Sequence, residues 1–155
     1  MQPVKYFYSI KNSSFFTILF TGIIVISIPR IIKFVEAHDT ANWLLIVAFD
    51  LIFLIMLLYV LVKQLIPALK CKVALEINSE GIAAHAKNTT IEWRDVYDIE
   101  YISGKTVASI GIYLKSGNER GNYIRIGLGF VAGDESKIYD TMKSFFETYK
   151  KGHFD

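Results

Sequence analysis

The sequence predicts an α+β chain in two parts: a two-helix transmembrane hairpin over residues 1–70, and an antiparallel sheet closed by a C-terminal helix over residues 71–155. Three observations predict it. Two long apolar runs dominate the chain before Lys63, hydrophobicity alternates with period two from Val73, and a helical period takes over after Gly133.

The first apolar run, Asn12 to Pro29, carries no charge, and the second, Thr40 to Val62, carries only Asp50. A helix needs roughly 20 apolar residues to cross the hydrocarbon core, and each run is about that long. Helices are therefore expected over about 12–29 and 41–63. The second run is apolar on every side, whereas a helix on the surface of a soluble protein keeps a polar face. The first run ends Ser27-Ile28-Pro29-Arg30. It lacks the small-residue site of a cleaved signal peptide. Pro29 is expected to end or kink the first helix, and Pro67 the second, leaving Leu65 to Lys70 as a connector.

Lys5, Lys11, Lys63, Lys70 and Lys72 flank the hairpin on one side, against Arg30 and Lys33 in its loop. That bias predicts both termini in the cytoplasm of a cell whose inner or plasma membrane holds the chain. Tyr6, Phe7, Tyr8 and Tyr59 toward one interface, and Trp43 toward the other, suit an aromatic belt.

From Val73 the pattern is that of strands. Val73, Leu75 and Ile77 alternate with Ala74 and Glu76, and Asn78 to Gly81 is a turn signal. Ile91 and Trp93 alternate with Glu92 and Arg94, and Asp95 marks a bulge or short turn before Val96 to Ile102. Ile110, Ile112 and Leu114 share one face, and Ser116 to Asn122 is a polar hairpin. Ile124, Ile126, Leu128 and Phe130 form the last strand face. Asp134 then supplies a helix N-cap. Ile138, Met142, Phe145, Phe146 and Tyr149 follow helical spacing, with Gly152 as the stop. Sheet and helix each need to bury one face, so the helix closes the sheet.

Two membrane helices, then a strand–turn–strand, then Ile91-Glu92-Trp93-Arg94-Asp95-Val96 leading into Ile99, resemble a group of small bacterial two-helix membrane proteins with a pleckstrin-homology-like domain. Tyr123 to Ile126, Asp134 and the closing helix are similar in layout. The resemblance implies that the sheet is a pleckstrin-homology-like partial barrel. It carries over no site residue.

Asp50 is the sharpest single residue. An acidic side chain near mid-bilayer costs about 2.5–3.5 kcal/mol on insertion scales and calls for a partner. In an antiparallel hairpin Thr21 lies at similar depth, with Thr17 one turn away, and both are expected to hydrogen-bond the carboxyl. Such a contact would lock the helix packing or a homo-oligomer. His38, His85, His153 and Cys71 make no metal-ligand spacing. Neither a nucleophile elbow nor a phosphate-binding glycine loop occurs, and Asp95 and Asp98 lie on a solvated edge. No enzyme, metal or cofactor is expected. Residues 71–155 carry 11 Lys and Arg against 12 Asp and Glu, so no basic field points to nucleic acid.

Lys115, Arg120 and Arg125 are the only candidate patch for an anionic lipid or a partner. The leading expectation is a non-enzymatic integral membrane protein that binds a protein partner at the inner membrane surface. The alternatives are an immunity protein neutralising a membrane-targeting toxin, and an anionic-lipid sensor.

Overall fold

The computed structural model of the chain describes residues 2–37, 40–104, 107–115 and 121–153, with only the backbone course described at Thr40, Ala41 and His153. It is α+β and divides into two compact units. Ile10–Lys70 forms one; Met1–Ser9 and Cys71–Asp155 together form the other.

The first unit is a helical hairpin of α1 (Ile10–Glu36) and α2 (Thr40–Val60). Both are long and apolar enough to cross a membrane. Ile18 and Ile26 on α1, and Leu45 and Ile55 on α2, are exposed. Pro29 does not end the first helix: α1 continues through it to Glu36, for 27 residues or about 40 Å. Proline removes one backbone hydrogen bond and crowds the carbonyl four residues back. In an apolar helix pair that loss is tolerated where neighbouring helices and hydroxyl side chains re-satisfy the backbone.

Pro67 acts differently from expectation as well. Residues Leu61–Leu65 widen into a π turn, in which the Ile66 N–H bonds the Leu61 carbonyl. A short α3 (Ile66–Leu69) follows, with Pro67 in its first turn, where a missing N–H costs nothing. The π turn lets the helix pass a proline that would otherwise collide with the Lys63 carbonyl.

Among the described residues the second unit holds seven strands in two antiparallel sheets. One has the order β1 (Val4–Phe7), β2 (Val73–Ile77), β3 (Gly81–Ala84), β4 (Thr89–Glu92); the other has the order β5 (Val96–Ile102), β6 (Ser109–Leu114), β7 (Tyr123–Gly127). Among the described residues the strands form these two sheets and not a closed barrel. The first strand corrects the boundary drawn from the sequence. Val4–Phe7 pairs antiparallel with β2, with Lys5 opposite Glu76 and Tyr6 opposite Leu75, so residues 1–9 belong with the sheets and not with the hairpin. The Tyr8 N–H bonds the Lys72 carbonyl, and the Ser9 N–H bonds the Phe130 carbonyl.

Where the alternation was clear, the strands and their buried faces agree with it. Leu75, Ile77, Ile82, Ile91, Ile110 and Ile112 are buried in one core with Trp93. The turn before β3 forms because Asn78 Oδ1 accepts the N–H groups of Glu80 and Gly81, each at 2.9 Å. Position 81 must be glycine: a Cβ there would stand 2.0 Å from the Ile91 carbonyl oxygen of the paired strand. A 3-10 turn at Trp93–Asp95 joins the two sheets. Helix α4 (Glu135–His153) starts at Asp134, whose Oδ1 accepts the Ser136 N–H at 2.9 Å. It runs through Gly152 and buries Ile138, Met142, Phe145 and Phe146 against the core.

Candidate functional site

Asp50 finds its partner more than a turn beyond the position the sequence suggested. Its carboxylate accepts a hydrogen bond from the Ser27 hydroxyl of α1. Thr17 instead bonds back to the Ser13 carbonyl in its own helix, at 2.9 Å, and Thr21 is exposed. The shift follows from Pro29. Asp50 lies ten positions into α2. Ten positions back from a helix ending at Pro29 would reach Leu19, near Thr21, but ten back from Glu36 reach Ile26, beside Ser27. The Asp50–Ser27 pair lies on the wall of an open groove of about 550 Å³ between α1 and α2, with Phe49, Phe53, Arg30 and Asn42. Deeper along the hairpin the helices meet through Phe20 and Phe53, with ring centroids 6.1 Å apart.

The Ser27 hydroxyl also lies 2.7 Å from the Ile24 carbonyl, so one hydroxyl proton faces two acceptors. An amide at position 50 would add a donor: it would bond Ser27, freeing the hydroxyl for Ile24. Asp50→Asn is therefore expected to preserve the helix pair. Asp50→Leu and Ser27→Ala should each weaken it by about 0.6 kcal/mol, the average for interhelical polar contacts. Resistance of the hairpin to unfolding in mixed detergent micelles measures this. An Asp50→Asn variant weaker than Asp50→Leu would contradict the hydrogen-bond account.

Of the three cations singled out, the two that are described stand apart. Arg125 on β7 stands opposite Gly111 of β6, and its Nε donates to the Ser109 hydroxyl at 2.7 Å. Lys115 lies four positions beyond Gly111, about 13 Å along the strand. Tyr113 and Tyr123 stand between them as a cross-strand pair. Arg120 lies outside the described residues. His85, exposed, is 3.9 Å from Glu76, and among the described residues no three His, Cys, Asp or Glu side chains gather as a metal-binding set.

The feature the sequence reading missed is a tyrosine-rich, acidic notch on the second sheet. Its volume is about 490 Å³, and it is lined by Tyr97, Asp98, Ile99, Glu100, Tyr113 and Tyr139. Strand geometry explains the cluster. Ile99 points into the core, so Asp98 and Glu100 point outward. A bulge sits between Val96 and Asp98, leaving Tyr97 without a direct cross-strand partner. A bulge re-aims the side chain it carries. Tyr97 is accordingly 67% exposed, beside Asp98. Tyr113 is the direct partner of Asp98 on β6, and its hydroxyl donates to Glu100 at 2.8 Å. That hydrogen bond, with the charge of Glu100 behind it, holds the Tyr113 phenol above its ordinary value near 10.

Tyr123 extends the surface, with its ring 5.1 Å from Tyr113 and packed so closely over Gly111 that a Cβ there would stand 2.9 Å from its hydroxyl. Tyr139 of α4 closes the other side: its hydroxyl reaches toward the Ile99 carbonyl at 3.4 Å, and its ring packs at a tilt against Tyr101 with centroids 5.5 Å apart. The only sequence signal for this cluster was Tyr97-Asp98-Ile99-Glu100-Tyr101, a strand with polar and aromatic residues on its outward side.

No protein-family model matches this chain, and comparison with curated proteins and with solved structures gives no match.

Proposed function

We propose that this chain is a non-enzymatic integral membrane protein, anchored by α1 and α2. Its β unit is a pleckstrin-homology-like module that binds a protein partner at the inner membrane surface, with both termini cytoplasmic. The observation that carries the reading is the exposed tyrosine surface of β5–β7, in which Tyr97, Tyr113 and Tyr123 stand 67%, 38% and 43% exposed. Tyrosine is enriched at protein interfaces, where a rigid ring gives large contact area at low entropic cost.

The membrane anchor is supported by the apolar side chains that both helices leave uncovered, which water would not tolerate as a continuous surface. Because β1 precedes α1 and pairs with β2, signal cleavage after α1 would remove a strand of the sheet. The same pairing supports an even number of crossings, since residues on both sides of the hairpin fold into one unit. The pleckstrin-homology-like reading is supported by four-plus-three antiparallel strands with a C-terminal helix packed on the core. The separation of Lys115 from Arg125 gives no support to lipid headgroup binding.

Orientation is testable on the natural sequence. Cys71 is the sole cysteine and is exposed at the start of the β unit. A membrane-impermeant maleimide is expected to leave it unlabelled in intact cells and to label it after permeabilisation. Labelling in intact cells would place the β unit outside.

Partner binding is tested with a photo-crosslinking amino acid at position 97, and a control at exposed Glu92 of the other sheet. A discrete adduct from position 97 alone is expected. Absence of any adduct from position 97 would remove the protein-binding reading.

A further inference from the structure

The tyrosine notch has a chemistry of its own. Glu76 has Lys5 at 3.7 Å and His85 at 3.9 Å, and Glu92 has Arg94 at 2.7 Å. Among the described residues Asp98 and Glu100, like most other carboxylates of the β unit, have no such cationic partner, but these two share a concavity. Asp98 accepts the Ile99 backbone N–H and Glu100 the Tyr113 hydroxyl. Two outward carboxylates two positions apart on one strand, about 6.6 Å along it, thus stand uncompensated in a concavity walled by three tyrosines.

A second observation bears on what such walls hold. One turn along α4, the chain's own Lys143 places its ammonium over the Tyr139 ring, 5.8 Å from the centroid. At the edge of the notch a tyrosine face thus already holds a cation, the chain's own, and the tyrosines that stand exposed to a second are Tyr97 and Tyr113. Aromatic faces attract cations through their quadrupole, and adjacent carboxylates add direct charge attraction. Of the two cationic side chains, arginine suits the notch better. Its planar guanidinium stacks on rings while its fork of donors reaches carboxylates, and it is more weakly hydrated than an ammonium.

We propose that the notch lined by Tyr97, Asp98, Glu100, Tyr113 and Tyr139 is the seat of an arginine side chain presented by a segment of the partner protein. This rests on the protein-binding reading above and names the chemistry of that partner. The carboxylates select the charge, and the bulged Tyr97 covers the guanidinium from the solvent side.

The test uses the full-length chain in maltoside micelles, with carbon-13 in the rings of its nine tyrosines. The probes are a capped Gly-Ser-Arg-Ser-Gly peptide, the same peptide with uncharged citrulline in place of arginine, and phosphocholine vesicles. The arginine peptide is expected to shift the Tyr97, Tyr113 and Tyr139 ring signals saturably, while those of Tyr6 and Tyr8 stay in place. The citrulline peptide should bind about tenfold more weakly or worse. Asp98→Asn and Glu100→Gln should each weaken the arginine peptide several-fold and flatten its salt dependence. Tyr97→Ala should weaken it with the salt dependence retained. Tyr97 and both carboxylates are exposed, and an unchanged far-UV circular dichroism spectrum checks that each variant folds.

Equal binding of the arginine and citrulline peptides, or no ring shift with either, would overturn the proposal. So would ring shifts with phosphocholine vesicles alone, which would assign the notch to a lipid headgroup. The two readings fail separately. A position-97 crosslink that persists in Asp98→Asn and Glu100→Gln leaves the partner reading standing and removes the arginine seat. Peptide binding without any cellular adduct leaves the notch's preference for a guanidinium standing and removes the partner protein.

Discussion

Residues 1–9 joined through a short glycine linker to residues 71–155 are expected to fold as a soluble, cooperative unit, whereas residues 71–155 alone are not. The junction is feasible because Tyr8 and Lys72 are hydrogen-bonded neighbours at 3.3 Å, so a few glycines span Ser9 to Cys71. The difference comes from β1. It supplies the backbone partners of one edge of β2, and Val4, Tyr6 and Tyr8 pack on the core as partly buried side chains. The Tyr6 hydroxyl donates to Thr141 of α4 at 3.0 Å, and Lys5 pairs with Glu76 across the strands at 3.7 Å. Three half-buried side chains at about 0.75–1.5 kcal/mol each, half the value of full burial, make a loss of about 2–4.5 kcal/mol. That is a large share of the stability of a marginal small domain. Removing β1 also bares the edge of β2, a ready template for aggregation. Size exclusion and urea denaturation followed by circular dichroism compare the two chains. A cooperative, monomeric 71–155 fragment would mean that β1 is dispensable.

Trp93→Ala in that linked β unit is expected to cost about 3–5 kcal/mol, as large-to-small changes at buried aromatic positions do. The ring is fully buried and its centroid is 5.9 Å from that of Phe146 on α4. Its Nε1–H donates to the Asn78 carbonyl at 2.8 Å, and its backbone N–H to the Glu80 carbonyl at 3.0 Å. The residue therefore ties the turn before β3, the junction of the two sheets and the closing helix into one contact. Trp93→Phe keeps much of the packing but leaves the Asn78 carbonyl without that donor, for about 1–3 kcal/mol. Urea denaturation orders the variants. Trp93 is the only tryptophan in the β unit, so its short-wavelength emission in the parent reports the same burial. An Ala variant within about 1 kcal/mol of the parent would contradict this role.

The Asp50 contact and the notch differ in how far the sequence exposed them. Asp50 stood out because a carboxylate inside an otherwise uncharged apolar run needs an explanation from composition alone. Its partner did not. That depended on the length of α1, which depended on whether Pro29 stops a helix, and neighbours decide that. Tyr97, Tyr113 and Tyr139 are far apart in the chain and carry no motif. They meet because of a bulge in β5, the register of β6 and the docking of α4.

What the sequence determined by itself was whatever repeats over a short stretch of chain. Long apolar runs, interrupted only by Asp50, marked the two long helices, alternation at Leu75, Ile77, Ile110 and Ile112 set the buried strand faces, and Asp134 with the Ile138 to Phe146 spacing set α4. Each of these is decided by local periodicity or capping, with no need to know what lies across the core. The tertiary structure decided the rest. Val4–Phe7 reads locally as the aromatic flank of a membrane helix and becomes a strand only because β2, on the far side of the hairpin in the chain, offers it an edge. The four-plus-three division of the sheets, the Ser27–Asp50 contact and the tyrosine notch likewise depend on register between distant segments. Register is set by long-range pairing and packing energies, which leave no periodic trace in either segment alone.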